Sequence, residues 1–137
     1  MAYWLFKSEP GAWSWDDHAR AGVAEWDGVR NFQANSNMKK MRIGDRGFFY
    51  HSVDEKTIVG IVEVVKEHYP DPTDASGRFG MVDLKAVMPV AKPVTLAEIK
   101  RHPELADMKL VRQGRLSVSP VSDAEWRIIC AMAGVEA

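Results

Sequence analysis

The chain is poor in cysteine, in net charge and in long apolar runs, and each shortage excludes something. A single thiol, Cys130, rules out an internal disulfide framework and any zinc centre built on several thiolates. One free cysteine fits a reducing compartment, and a cytoplasmic location is the expectation. The formal net charge is only -1. A protein that coats nucleic acid along its length is far more basic. Any nucleic-acid contact here is therefore local, to a few phosphates or to one base. No stretch approaches the ~18 apolar residues of a membrane span. The start, "MAYWLFKSEP", has no basic segment before a long apolar one, so no secretory signal is read there. Motifs of chemistry are missing too. There is no GxxxxGK[ST] phosphate loop and no GxSxG elbow. The histidines, His18, His51, His68 and His102, have no helical pairing that makes a metal site. No metal or cofactor is expected, and no catalytic constellation is recognisable.

What remains is a chain of 137 residues, 46% hydrophobic and 27% charged, which is the balance of one folded domain with a real core. Residues 1–137 read as a single domain, expected to be monomeric. Strand signals are clear in "YWLF" (3–6), "GFFYHS" (47–52), the β-branched "TIVGIVEVV" (57–65) and the alternating "MVDLKAVMPV" (81–90). "RLSVSPV" (115–121) adds a short one. Gly60 inside the third run predicts a bulge or tight bend. Capping boxes at Ser14/Asp17, Thr95/Glu98 and Ser122/Glu125 predict three helix starts. Asn31 is placed to cap a fourth, over 32–41. Trp126, Ile129, Cys130 and Ala133 form one apolar stripe on the last helix, where a buried cysteine is inert. "YPDPTDASGRFG" (69–80) reads as a long loop. Interspersed strands and helices without regular alternation indicate an α+β fold with a small, strongly bent sheet or barrel.

One stretch stands out: "WDGVRNFQANSNM", residues 26–38. It places an indole and an arginine beside three asparagines and a glutamine. Carboxamides carry a donor and an acceptor, as nucleobase edges do. An aromatic face beside them can stack on a base. Taken singly, Trp26 also reads as a core residue, Asn31 as a helix cap, and Asn35 and Asn37 as solvated helix-face residues. On composition and spacing the reading stops at a small α+β barrel that binds a polar planar ligand.

Several segments together resemble the EVE domain family. They are "YWLFKSEP", "WDGVRNFQANSNM", "GDRGFFYHS", "IVGIVEV" leading to "YPDPT", and "RLSVSPV" followed by "EW". They run in the family's order from Tyr3 to Trp126. The resemblance implies a PUA-like β-barrel of about five to six strands flanked by short helices, related to YTH and ASCH domains. It implies a nucleic-acid-binding module that reads a modified base, methylated or hydroxymethylated, in a pocket like the YTH cage. Carried over by position, Ser8 and Glu9 stand at the pocket mouth and Trp26 is the stacking wall. Arg30, Asn31, Gln33 and Asn35 are polar members, and Tyr50, His51 and Ser52 close the site. Many relatives have a tryptophan before the strand at 81–90, where this chain has Phe79 as its nearest aromatic. Lys39, Lys40 and Arg42, with Arg46, form one basic run, and Arg112 and Arg115, with Lys109, a second. Either could hold phosphates. Two rival readings stay open. One is an enzyme acting on a small nucleotide or nucleoside, with Glu9 and His51 converging. The other is a protein-interaction adaptor using the 69–80 loop.

Overall fold

The computed structural model describes residues 1–137. Six strands and five α-helices alternate irregularly along the chain. They are β1 (Tyr3–Ser8), α1 (Trp15–Ala21), β2 (Val23–Glu25), α2 (Phe32–Lys39), β3 (Arg46–His51), β4 (Thr57–Pro70), β5 (Gly80–Thr95), α3 (Leu96–Arg101), α4 (Lys109–Arg112), β6 (Val118–Val121) and α5 (Asp123–Ala133). A short 3-10 turn, Pro103–Leu105, follows α3. No helix is long and apolar enough to cross a membrane.

Local hydrogen bonding starts four of the helices. The Ser14 hydroxyl accepts from the Asp17 N–H at 3.1 Å, and the Asp17 carboxylate accepts from the Ser14 N–H at 3.0 Å. The same reciprocal pair opens α3 at Thr95/Glu98 and α5 at Ser122/Glu125. Asn31 caps α2 by accepting from the Ala34 N–H at 2.9 Å. Each pairing satisfies helix donors that have no partner in the helix itself. The fifth helix, α4, has no side-chain cap. That is why no sequence signal announced it.

The strands form one mixed sheet in the order β2-β5-β4-β3-β1-β6. β1 and β3 are parallel, and every other neighbouring pair is antiparallel. The α+β class and the strand number agree with the sequence reading, but the sheet does not close into a barrel. α2 packs against β4, β5 and β6, and its Asn37 carboxamide donates to the Val118 carbonyl of β6, an edge strand, at 2.8 Å. Asn37 is buried. The reading of it as a solvated helix-face residue is thus corrected, because a sheet-edge carbonyl needs its donor.

Side-chain alternation sorts the core into two layers. Leu5, Phe48 and Tyr50 join α3 and α5 on one face. There Trp126 is stacked between Tyr3 and Phe48, at 4.2 and 4.1 Å between ring centres. Trp4, Phe6 and Phe49 join Trp15, Trp26 and the apolar side of α2 on the other. Gly60 lies in β4 where the register shifts. A β-carbon there would stand 2.4 Å from the Trp15 ring, so the indole of α1 needs the missing side chain. β4 and β5 are longer than their apolar runs suggest and pair as far as Pro70 and Gly80. The expected 69–80 loop therefore shrinks to residues 71–79.

Candidate nucleic-acid interface

The site begins where β1 ends. Alternation puts Ser8 on the same face as Trp4 and Phe6. Its hydroxyl donates to the Trp13 carbonyl at 2.5 Å, and the Trp13 N–H donates to the Glu9 carbonyl at 2.9 Å. The chain turns back on itself and sets Trp13 at the mouth, 36% exposed. The Trp13 indole N–H donates to Nδ1 of His18 at 3.0 Å, while Nε2 of His18 donates to the Leu84 carbonyl at 2.8 Å. His18 is fully buried. Its two bonds require the neutral ring with the proton on Nε2, and burial lowers its pKa below the ordinary value.

Facing this turn is the segment that leaves β2. The Trp26 N–H extends the β2–β5 pairing by donating to the Val82 carbonyl at 2.8 Å. The Trp26 indole meets Phe6 and Phe49 edge-on, each 5.5 Å away, and is 8% exposed. Beyond it Gly28 takes φ 78°, a left-handed turn. Its N–H and the Arg30 guanidinium both donate to Asp71, at 2.9 and 3.1 Å, and Arg30 also donates to the Thr73 hydroxyl at 2.9 Å. Burial of Asp71 opposes its ionisation. The Thr73 hydroxyl, the Gly28 and Thr73 N–H groups and Arg30 outweigh that and hold its pKa down to about 2.

Between the two segments lies a cleft of about 610 Å³. Trp13 and Trp26 supply its aromatic walls, and Ala12, Ala24 and Val29 its apolar corners. Three carboxylates line it, Glu9, Glu25 and Asp27, together with Ser8, Ser117 and the cations Lys7 and Arg30. Lys7 donates to the Gly114 carbonyl at 2.5 Å, and burial lowers its pKa. A smaller, shallow pocket of about 300 Å³ holds Asn31, Gln33, Gln113 and Arg115.

The structure thus brings Ser8, Glu9, Trp26 and Arg30 together and sends the other named residues elsewhere. Asn31 and Gln33 line the smaller pocket. Asn35 is buried, and its carbonyl oxygen accepts from the Gly80 N–H at 3.0 Å and bonds to His68 at 2.9 Å. That carboxamide ties α2 to the ends of β4 and β5 and does not line the cleft. Tyr50 points into the opposite core layer. Nε2 of His51 accepts from the Trp15 N–H at 2.9 Å and its Nδ1 faces Glu55. The Ser52 N–H donates to the Ser8 carbonyl, with its side chain outside the cleft. Glu9 and His51, the pair an enzyme reading requires, do not share the cleft. Phe79 packs on the exposed Phe32 with centres 4.9 Å apart, and Arg30 lies over its ring at 5.8 Å. Lys39 and Lys40 are exposed at the far end of α2, Arg42 pairs with Glu67 at 3.6 Å, and Arg46 with Glu63 at 3.4 Å. Arg112 pairs with Asp107 at 3.0 Å, and Lys109 is exposed.

Trp13, Lys7, Glu25 and Asp27 are the cleft residues that the sequence reading passed over. For Trp13 a signal existed: an indole two residues after a Pro-Gly turn at a strand end sits on a loop, where large apolar side chains need a reason. The carboxylates gave none, since acidic residues at a strand end read as solvated.

Asp71 clamps the cleft rim, and this has a measurable consequence. Its folded pKa lies below the unfolded value of about 3.9. Its contribution to stability is therefore complete above that value and is lost as pH falls through about 2. With allowance for solvent screening at its partner Arg30, whose side chain is 40% exposed, that contribution is roughly 1–2 kcal/mol. Asp71→Asn is expected to be less stable than the parent by this amount at pH 7 and equal to it near pH 2. Denaturation curves across that range test it, and a constant difference contradicts the assignment.

Comparison with known proteins bears on this geometry. The sequence profile of the EVE domain matches residues 2–132. Thymocyte nuclear protein 1 from Gallus gallus is 34% identical, over 95% of this chain and 68% of the relative. An NMR structure of a Rhodopseudomonas palustris protein is 54% identical with a TM-score of 0.92, covering 98% of this chain and 94% of that one. The crystal structure of human THYN1 protein in complex with 5-methylcytosine-containing DNA is 31% identical with a TM-score of 0.91, and each chain is fully covered. A Zymomonas mobilis ASCH protein, 10% identical with a TM-score of 0.58, shares the fold alone.

Proposed function

Because this chain belongs to the EVE domain family, we propose that it is a nucleic-acid-binding module that reads one modified base, of the cytosine class, in the cleft between Trp13 and Trp26. The observation that carries this reading is the pairing of indole walls with three carboxylates in one cavity. Carboxylates only accept hydrogen bonds. One set against the 4-position of the ring suits the exocyclic amino group of cytosine and repels the O4 acceptor of thymine. The human relative solved with 5-methylcytosine DNA supports the same class of ligand.

The chemistry orders the events. A base leaves its stack at a cost of a few kcal/mol in duplex and less in a single strand. It enters between the indoles, and stacking returns about 1–3 kcal/mol. Glu9, Glu25 and Asp27 offer acceptors to its amino edge, and the added methyl group meets Ala12, Ala24 or Val29. Carboxylates repel phosphate, so the backbone stays at the rim, beside Lys7 and Arg30.

Titration with short oligonucleotides that differ at one base tests the reading. The 5-methylcytosine strand is expected to bind best, cytosine about 5- to 150-fold more weakly for one missing methyl contact, and thymine most weakly. Thymine binding as tightly as 5-methylcytosine, or equal affinity for all three, overturns it.

A further inference from the structure

The smaller pocket adjoins the cleft along one seam. Val29 and Arg30 line the cleft, and Asn31 and Gln33, next in sequence, line the pocket. On the other side of the seam Ser117 lines the cleft, and Gln113 to Leu116 line the pocket. The bond from Lys7 to the Gly114 carbonyl pins this second loop to β1. Two loops thus build two cavities side by side, with different chemistry. The cleft carries three carboxylates and the pocket none. Its polar lining is carboxamide and guanidinium. Arg115 pairs with no carboxylate, as is also true of Arg78, Arg101 and Arg127, but it alone of these lines the pocket, and it is exposed. The Asn31 carbonyl oxygen is committed to capping α2, which leaves Gln33 and Gln113 as the lining carboxamides with both donor and acceptor free. A volume of about 300 Å³ is at the lower end for a ligand site, enough for one nucleotide unit.

We propose that this pocket is the subsite for the nucleotide next to the modified base. Arg115 takes the phosphate, and the Gln33 and Gln113 carboxamides read the neighbouring base edge, each offering a donor and an acceptor. The inference rests on the cleft reading above. It adds that the protein has a sequence-context preference, set by residues that never touch the modified base.

The test compares two ligands, 5-methyl-2′-deoxycytidine and a trinucleotide with 5-methylcytosine at its centre. Binding is followed by NMR at the Trp13 indole N–H. Arg115→Ala is expected to weaken the trinucleotide about fivefold or more whatever its flanking bases, and to lower its salt dependence by about one phosphate. Gln33→Ala with Gln113→Ala is expected to level the affinities of trinucleotides that differ only in the flanking base. Neither change is expected to alter binding of the nucleoside. Trinucleotide affinity unchanged by Arg115→Ala, or nucleoside and trinucleotide weakened equally, overturns the subsite and leaves the cleft reading intact. No movement of the Trp13 signal with either ligand overturns the cleft reading and the subsite with it.

Discussion

Trp26→Ala is expected to lose about 3–5 kcal/mol of stability, the usual loss for a large aromatic removed from a packed interior. The indole is only 8% exposed and is held edge-on by Phe6 and Phe49, with His18 against it. It joins Trp4, Trp15 and Val82 in the core layer beneath the cleft. Nothing nearby is placed to fill the space, because Phe6 and Phe49 are themselves fixed on paired strands. A domain of this size holds about 5–15 kcal/mol in all. If its stability lies at the low end of that range the variant will be partly unfolded under ordinary conditions, and lost binding in it would then report the fold and not the site. Urea denaturation measures this directly. A loss below about 1.5 kcal/mol would show that the indole is a cleft wall first and a core residue second.

Trp13→Ala is the milder change to the fold. This indole is exposed at the mouth and tied down by one side-chain bond, to His18. Its removal leaves the buried His18 Nδ1 without its donor, and the expected loss of stability is about 1–3 kcal/mol, below that of Trp26→Ala. Base–aromatic stacking is worth about 1–3 kcal/mol, so affinity for a strand carrying the modified base should fall about 5- to 150-fold. Trp13→Phe separates the two duties of the side chain. It keeps a stacking face and loses the N–H that bonds His18. Intermediate affinity is the expected result, with a ring less well held. An oligonucleotide affinity within twofold of the parent in Trp13→Ala removes this indole from the site.

The two tryptophans show how far a sequence reading reaches into a site. Trp26 stands in the motif that carries the family resemblance, and it does line the cleft, but most of its surface is interior. Trp13 stands outside any quoted motif and is the exposed wall. The carboxamides repeat the lesson. Asn31, Asn35 and Asn37 look alike on paper, yet one caps a helix, one braces two strand ends and one satisfies an open sheet edge. The cleft is instead lined by carboxylates, whose convergence depends on where β1 and β2 end in space.

The sequence by itself determined the features whose partners are close along the chain. The reciprocal caps at Ser14, Thr95 and Ser122 join residues three apart. The apolar stripe of α5 follows from helical period alone, and its four named residues are all buried. The α+β class follows from the order of such segments. The tertiary structure alone decided β2, the open sheet edge and the addition of Trp13, Lys7, Glu25 and Asp27 to the cleft. Their bonds join residues far apart, 81 positions in the case of Asn37 and Val118 and 43 for Gly28 and Asp71. Local pattern carries no record of such pairings, because they exist only after the chain has folded and buried polar groups must find whatever partner the fold has brought near.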